Sequence, residues 1–195
     1  MIDVPTCIHL TYDITTPSGN GGDRESARVN NQSFNAAYAI VHSGMKDLSD
    51  VKPELASLLF FYHTHVFKDG DRELILAHMG RHFWNQVDQK GMHCATVQKI
   101  PDFLDIVLSY SKQYISGNHD KKEAIAKYLG IAQESWYRKD RKACWDQWFK
   151  LMTRFLAQAH DEGLNFMHPY CEQIGSEHQR IKSLAHNLRS AWEII

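Results

Sequence analysis

Residues 121–143 read Lys121-Lys122-Glu123-Ala124-Ile125-Ala126-Lys127-Tyr128-Leu129-Gly130-Ile131-Ala132-Gln133-Glu134-Ser135-Trp136-Tyr137-Arg138-Lys139-Asp140-Arg141-Lys142-Ala143, and their spacing predicts helix, turn, helix. Ile125 and Leu129 are four apart and share one face of the first helix. Ala126 is small enough to let two helices cross closely. Gly130 follows at the point where the chain must turn sharply, and glycine takes the left-handed backbone this requires at little cost. Ile131 fills the corner. A second helix over 133–144 would expose Gln133, Glu134, Tyr137, Arg138 and Arg141, and turn Trp136 and Ala143 inward. Small residue, glycine, apolar residue and then a polar, basic helix is the helix-turn-helix pattern.

Outward from this corner the chain keeps helical periodicity. Phe34, Ala37, Tyr38 and Ile40-Val41 recur at spacings of three and four, with Gly44 as a plausible stop. Ser49 and Asp50 precede Leu55, Leu58-Leu59, Tyr62 and Val66, and Pro53 suits the first turn of that helix. Asp69-Gly70-Asp71 closes it. A helix over 72–88 carries Leu74, Leu76, Met79, His82-Phe83 and Val87, and Lys90-Gly91 leads into a linker over 91–100. Pro101 opens a helix to 116 with Phe103-Leu104, Val107-Leu108 and Tyr114-Ile115 inward. Trp145, Trp148, Phe149, Met152, Phe155 and Leu156 make a broad apolar stripe whose expected role is core packing, with a partner surface as the sharper alternative. Gly163 is expected to break the helix, residues 164–175 with Pro169 to be irregular, and Ser176 to cap a last helix over 176–194. The polar stretch Thr15-Thr16-Pro17-Ser18-Gly19-Asn20-Gly21-Gly22-Asp23 reads as loop. The expected fold is therefore all-α: a multi-helix domain containing a helix-turn-helix, with an irregular N-terminal arm. The segments are an arm at 1–32, a helical part at 33–118, the helix-turn-helix and aromatic helix at 119–160, and a C-terminal helix at 161–195.

The chain has 195 residues, of which 43% are hydrophobic and 23% charged. A chain of this mass can bury about 70% of its surface without disulfides or metals. No run of eighteen apolar residues suggests a membrane span. Met1-Ile2-Asp3-Val4-Pro5-Thr6-Cys7 has no basic segment followed by an apolar one, so no secretory signal is expected. Cys7, Cys94, Cys144 and Cys171 are scattered, which fits reduced thiols in a cytoplasm. The net charge of −1 argues against indiscriminate coating of nucleic acid, yet it is unevenly spread. Residues 1–111 carry a net −4, residues 112–154 a net +5 and residues 155–195 a net −2. A basic block between acidic flanks is the footprint of a local anion-binding surface, or else of a solvated helix face.

Double-stranded DNA is the partner this pattern fits best. A helix enters the major groove, where Gln133 can pair with adenine and Arg138 can fork onto guanine. Glu134 can accept from a cytosine amino group or repel phosphates. Ser135 and Tyr137 complete the candidate contact set, and Lys121, Lys122, Lys139, Arg141 and Lys142 suit phosphates. The competing reading is an ordinary helical hairpin with a cationic outer face. Leu129-Gly130-Ile131, then Ser135-Trp136-Tyr137-Arg138-Lys139, then Arg141-Lys142-Ala143, resembles the helix-turn-helix of phage late-gene antitermination Q proteins. It is also similar to the promoter-reading region four of sigma factors. Residues 53–67, from Pro53-Glu54-Leu55-Ala56, resemble the helix before the corner in some Q-type proteins, which would make 70–118 an insertion. Ala132 stands where such modules often carry a capping Ser or Thr. The resemblance implies binding at a specific DNA element and engagement of RNA polymerase, in transcription antitermination.

Other chemistry is weakly signalled. His78 and His82 are four apart on one helix, and with His93 and Cys94 they make a conceivable zinc set; His168, Cys171 and His178 make a second. Residues 78–82 read His-Met-Gly-Arg-His and lack the glutamate of a HExxH protease. No nucleophile elbow, P-loop or dinucleotide fingerprint occurs. No enzyme activity, cofactor or metal is expected. The alternatives to a DNA-binding regulator are a helical protein–protein interaction factor, such as a phage-encoded inhibitor, and a zinc-binding protein.

Overall fold

The computed structural model describes residues 24–64, 69–90, 92–115, 122–137 and 144–192; side chains are described for 36–64, 69–90, 92–111, 123–137, 144–174 and 176. Among these residues every regular element is a helix. They are α1 (Arg24–Val51), α2 (Pro53–Thr64), α3 (Asp71–Gln86), α4 (Cys94–Gln98), α5 (Ile100–Ile115), α6 (Lys122–Tyr128), α7 (Gln133–Trp136) and α8 (Trp145–Trp192). The all-α expectation holds. The chain forms two compact units: 1–66 with 162–195, and 67–161.

In the first unit α1 packs on α2, and the C-terminal part of α8 completes the packing. α1 begins at Arg24, inside the stretch expected to be an irregular arm, and it runs through Gly44 instead of stopping there. Val41, Met45 and Leu48 are buried at helical spacing on both sides of that glycine. A Cβ on Gly44 would lie 2.7 Å from Tyr170 Cγ and 2.9 Å from Met167 Cε. Gly44 is thus a crossing point, where absence of a side chain outweighs poor helix propensity. The turn to α2 takes one residue. Lys52 donates its amide to Leu48 O at 2.7 Å, and its carbonyl accepts from Leu55 N and Ala56 N at 3.1 and 3.2 Å. Pro53 then starts α2 as expected, where its missing N–H is not needed.

The expected break at Gly163 and irregular stretch over 164–175 are not observed. α8 is continuous from Trp145 to Trp192 and includes Gly163, Pro169 and Ser176. Pro169 removes one backbone hydrogen bond and costs about 3 kcal/mol in a helix interior. Burial of Met167, Cys171 and Ile174 along one stripe opposes that cost, while Pro169 itself is exposed. A Cβ on Gly163 would approach three Leu59 carbons at 2.9–3.3 Å. Lys52 pairs with Glu162, and Tyr170 Oη donates to Asp47 Oδ2 at 2.7 Å.

The second unit is built around aromatic rings. α3 contributes Ile75, Met79 and Phe83, and α5 contributes Phe103, Leu104, Val107 and Leu108. Ile75 is buried where Leu74 and Leu76 were expected, a shift of one position along the stripe. Trp148 meets Phe83 edge-on at 5.3 Å, and Trp145 meets Phe103 at 5.4 Å. Arg72 makes a two-pronged bond to Asp105, Nε to Oδ1 at 2.8 Å and NH2 to Oδ2 at 2.7 Å, tying α3 to α5. The linker expected over 91–100 contains the short α4, whose first turn is capped by His93 Nδ1 accepting from Ala95 N at 3.3 Å.

Helix propensity alone favours alanine over Gly163 by about 1 kcal/mol. Overlap with the fully buried Leu59 reverses the sign, so Gly163→Ala lowers unfolding free energy by about 1–3 kcal/mol. Urea titration checks this, and adding Leu59→Ala to Gly163→Ala costs less than the two single losses summed.

His160 is buried, and desolvation lowers its pKa against the opposing pull of Asp161. Its stabilising contribution is complete above the unfolded-state pKa near 6.5 and is lost as the pH falls through the lower folded value. His82 is shifted the same way by desolvation. Unfolding titrations at pH 7.5 and 5 should therefore differ less in His160→Gln than in the parent chain.

Candidate nucleic-acid interface

The corner expected at Gly130 is present. Gly130 has φ +60°. Its amide donates to Lys127 O at 3.1 Å, and the Ile131 amide reaches back to Ala126 O at 2.8 Å. This crossed pair of bonds is a Schellman cap, which satisfies the last carbonyls of α6 and redirects the chain. Ile125, Ala126, Leu129 and Trp136 are buried, as their spacing predicts. Ala132 starts α7 in an extended conformation with no side-chain cap. Its carbonyl still accepts from Ser135 N and Trp136 N at 2.8 and 3.1 Å.

Two further contacts hold the corner, and neither is visible in the local sequence. Lys99, just before α5, sends its ammonium to Leu129 O at 2.7 Å and Gly130 O at 3.2 Å. A cation at the C-terminal end of α6 also complements the helix dipole. No sequence spacing links residue 99 to residue 129; only the approach of α6 to α5 does. The second contact is a ring cluster. Trp136 stacks at 6.5 Å on Trp145, with 15° between the planes, and lies 6.5 Å from Phe103 and 6.2 Å from Phe149. The tryptophan stripe is therefore core, and the alternative of a partner surface along it is set aside: Trp136, Trp145 and Trp148 are all buried.

The second helix of the corner is shorter than expected. α7 spans only Gln133–Trp136, and Tyr137 ends it, in place of a helix over 133–144. Trp136 is pinned in the ring cluster one turn after the corner, which fixes where the turn must sit. Of the expected contact residues, Gln133, Glu134 and Tyr137 are exposed and Ser135 is half-buried. Lys122 opens α6. Lys121, Arg138, Lys139, Arg141 and Lys142 lie outside the described residues, as does the side chain of Lys122. Gln133 Nε2 donates to Glu123 Oε1 at 2.9 Å, so the amide proposed for adenine is already engaged by a carboxylate. Lys127 and Tyr128, which the sequence reading did not single out for contacts, are exposed on α6.

His78, His82 and His93 serve packing and capping. His82 stacks on Phe155 at 4.0 Å and His78 lies 5.0 Å from the same ring. His93 caps α4, and Cys94 is exposed. Among the described residues, no three His, Cys, Asp or Glu side chains are placed to hold a metal. Among the same residues, no helix is long and apolar enough to cross a membrane. No family model matches the chain, and neither a curated protein nor a solved structure does.

Nothing but Lys99 Nζ, at 3.7 Å, would meet a Cβ on Gly130. The cost of Gly130→Ala is then purely conformational, about 1–2 kcal/mol for a left-handed residue. Gly130→Asn should cost less, because asparagine tolerates that region. A lower urea midpoint at unchanged slope, in the order Gly, Asn, Ala, is the expected result.

Proposed function

We propose that the chain is a sequence-specific DNA-binding regulator of transcription that contacts duplex DNA through the corner around Gly130. The observation that carries this reading is the Schellman corner with its polar residues outward. Its apolar side is consumed by the core, and Lys127, Gln133, Glu134 and Tyr137 are left at the surface. The net +5 of residues 112–154 supplies the attraction to phosphates. Base selection falls to Gln133, once released from Glu123, and to Arg138; Lys121, Lys122, Lys139, Arg141 and Lys142 position the duplex. In its more specific form the regulator acts in the cytoplasm on RNA polymerase, as a phage-type antiterminator. The support for that form is the resemblance carried by Leu129-Gly130-Ile131 and the residues that follow.

Selection of bound sequences from a random duplex pool, with and without RNA polymerase, tests both forms. Enrichment of one element without polymerase is the result expected of a DNA-binding regulator, and stronger enrichment with polymerase is expected of an antiterminator. On the selected element, Arg138→Ala should cost about 1–3 kcal/mol and relax the preference at one position. Lys142→Ala should weaken all sequences alike and reduce the salt slope by about 1. A pool that emerges unenriched under both conditions overturns the proposal.

A further inference from the structure

Most aromatic side chains of the described residues are buried or half-buried. Among the described residues, the exposed large hydrophobics are Val51, Tyr128 and Tyr137, and both tyrosines belong to the corner. Tyr128 is 73% exposed at the last position of α6, and Tyr137 is 50% exposed at the end of α7. The other described tyrosines, at 38, 62, 110 and 170, are buried or half-buried. Tyr128 is flanked by exposed Lys127, and both rings lie within the basic block.

An exposed ring among cations has a specific use on nucleic acid. In closed duplex DNA the base faces are covered by their neighbours, so a tyrosine has only groove edges and sugars to meet. Where bases are unpaired, their faces are open and a tyrosine ring can stack on them, while lysines hold the backbone. A reader of closed duplex with a long recognition helix has little need of such rings. Here the helix is a single turn, and two rings stand at the ends of its two short helices.

We propose that the corner binds DNA carrying unpaired bases, which stack on Tyr128 and Tyr137. This rests on the reading of the corner as a DNA-binding element. It names the state of the DNA that the site takes: a duplex opened at or beside the contacted element.

The test uses the full chain and two labelled probes, a duplex of mixed sequence and the same duplex with a central mismatched stretch, followed by fluorescence anisotropy at several salt concentrations. The mismatched probe should bind about tenfold more tightly, the gain expected for one well-stacked base. Tyr128→Leu and Tyr137→Leu should each reduce that preference, and Tyr→Phe at the same position should restore it. These variants should leave the salt slope unchanged, because a ring releases no counterions, whereas Lys127→Ala lowers the slope. Thermal melts of the variants should match the parent, since both rings are exposed. Equal binding of the two probes, or a preference that survives both Tyr→Leu changes, overturns the inference and leaves duplex binding intact. Failure of both probes to bind at low salt overturns the DNA reading itself.

Discussion

One apolar seam on α8 sets the constraints for the rest of the protein. Trp145, Trp148, Phe149, Met152, Leu156 and Ala159 in the second unit, and Gly163, Met167, Cys171 and Ile174 in the first, are buried along α8, most of them three or four residues apart. A helix with so long a stripe must find apolar cover along its whole length. In the second unit the cover comes from the rings of α3, α5 and α7. In the first it comes from α1 and α2, which approach so closely that Gly44 and Gly163 have no room for a side chain. Within the first unit, burial of Met167, Cys171 and Ile174 opposes the local penalties of Gly163 and Pro169.

The seam also accounts for what was legible in the sequence. Residues that obeyed one local rule were read correctly: Ile125, Leu129 and Trp136 as inward, Gly130 as the turn, Pro53 as a helix start. Residues subject to two opposed rules were misread. Gly44, Gly163 and Pro169 are breakers by propensity, but at the two glycines the deciding quantity is the distance to a side chain on another helix. That distance depends on residues more than a hundred positions away, such as Tyr170 for Gly44, and no periodicity encodes it. The length of the second corner helix was misjudged for a related reason. The helix expected to reach 144 ends at Tyr137, directly after Trp136, which is packed among Phe103, Trp145 and Phe149.

Lys99 shows the same principle in polar form. A Schellman corner needs donors to its last carbonyls, and the local amides of Gly130 and Ile131 supply two. The carbonyls of Leu129 and Gly130 are instead served by the ammonium of Lys99, just before α5. Of the candidate site, the outward placement of Gln133, Glu134 and Tyr137 was legible in the sequence, whereas the support from Lys99 was not. The histidines follow the same logic: four-residue spacing correctly placed His78 and His82 on one face, and what that face meets is the ring of Phe155.

The support explains why the outward residues of the corner carry the functional argument. The indole N–H of Trp136 finds no acceptor among the described residues, a cost of about 1–3 kcal/mol for a buried donor. Aromatic pairs return about 0.5–1.5 kcal/mol each beyond their burial, and Trp136 makes three. Packing thus suffices to hold a tryptophan there despite its unpaired donor. With the backbone closed by Gly130, the carbonyls met by Lys99 and the inner face filled by Trp136, the corner's shape is fixed from behind. Tyr128 and Tyr137 lie outside that closure, exposed by 73% and 50%. They stand in the basic block while the other described phenylalanine, tryptophan and tyrosine rings are buried or half-buried, and the proposed stacking on unpaired bases would give these two a use.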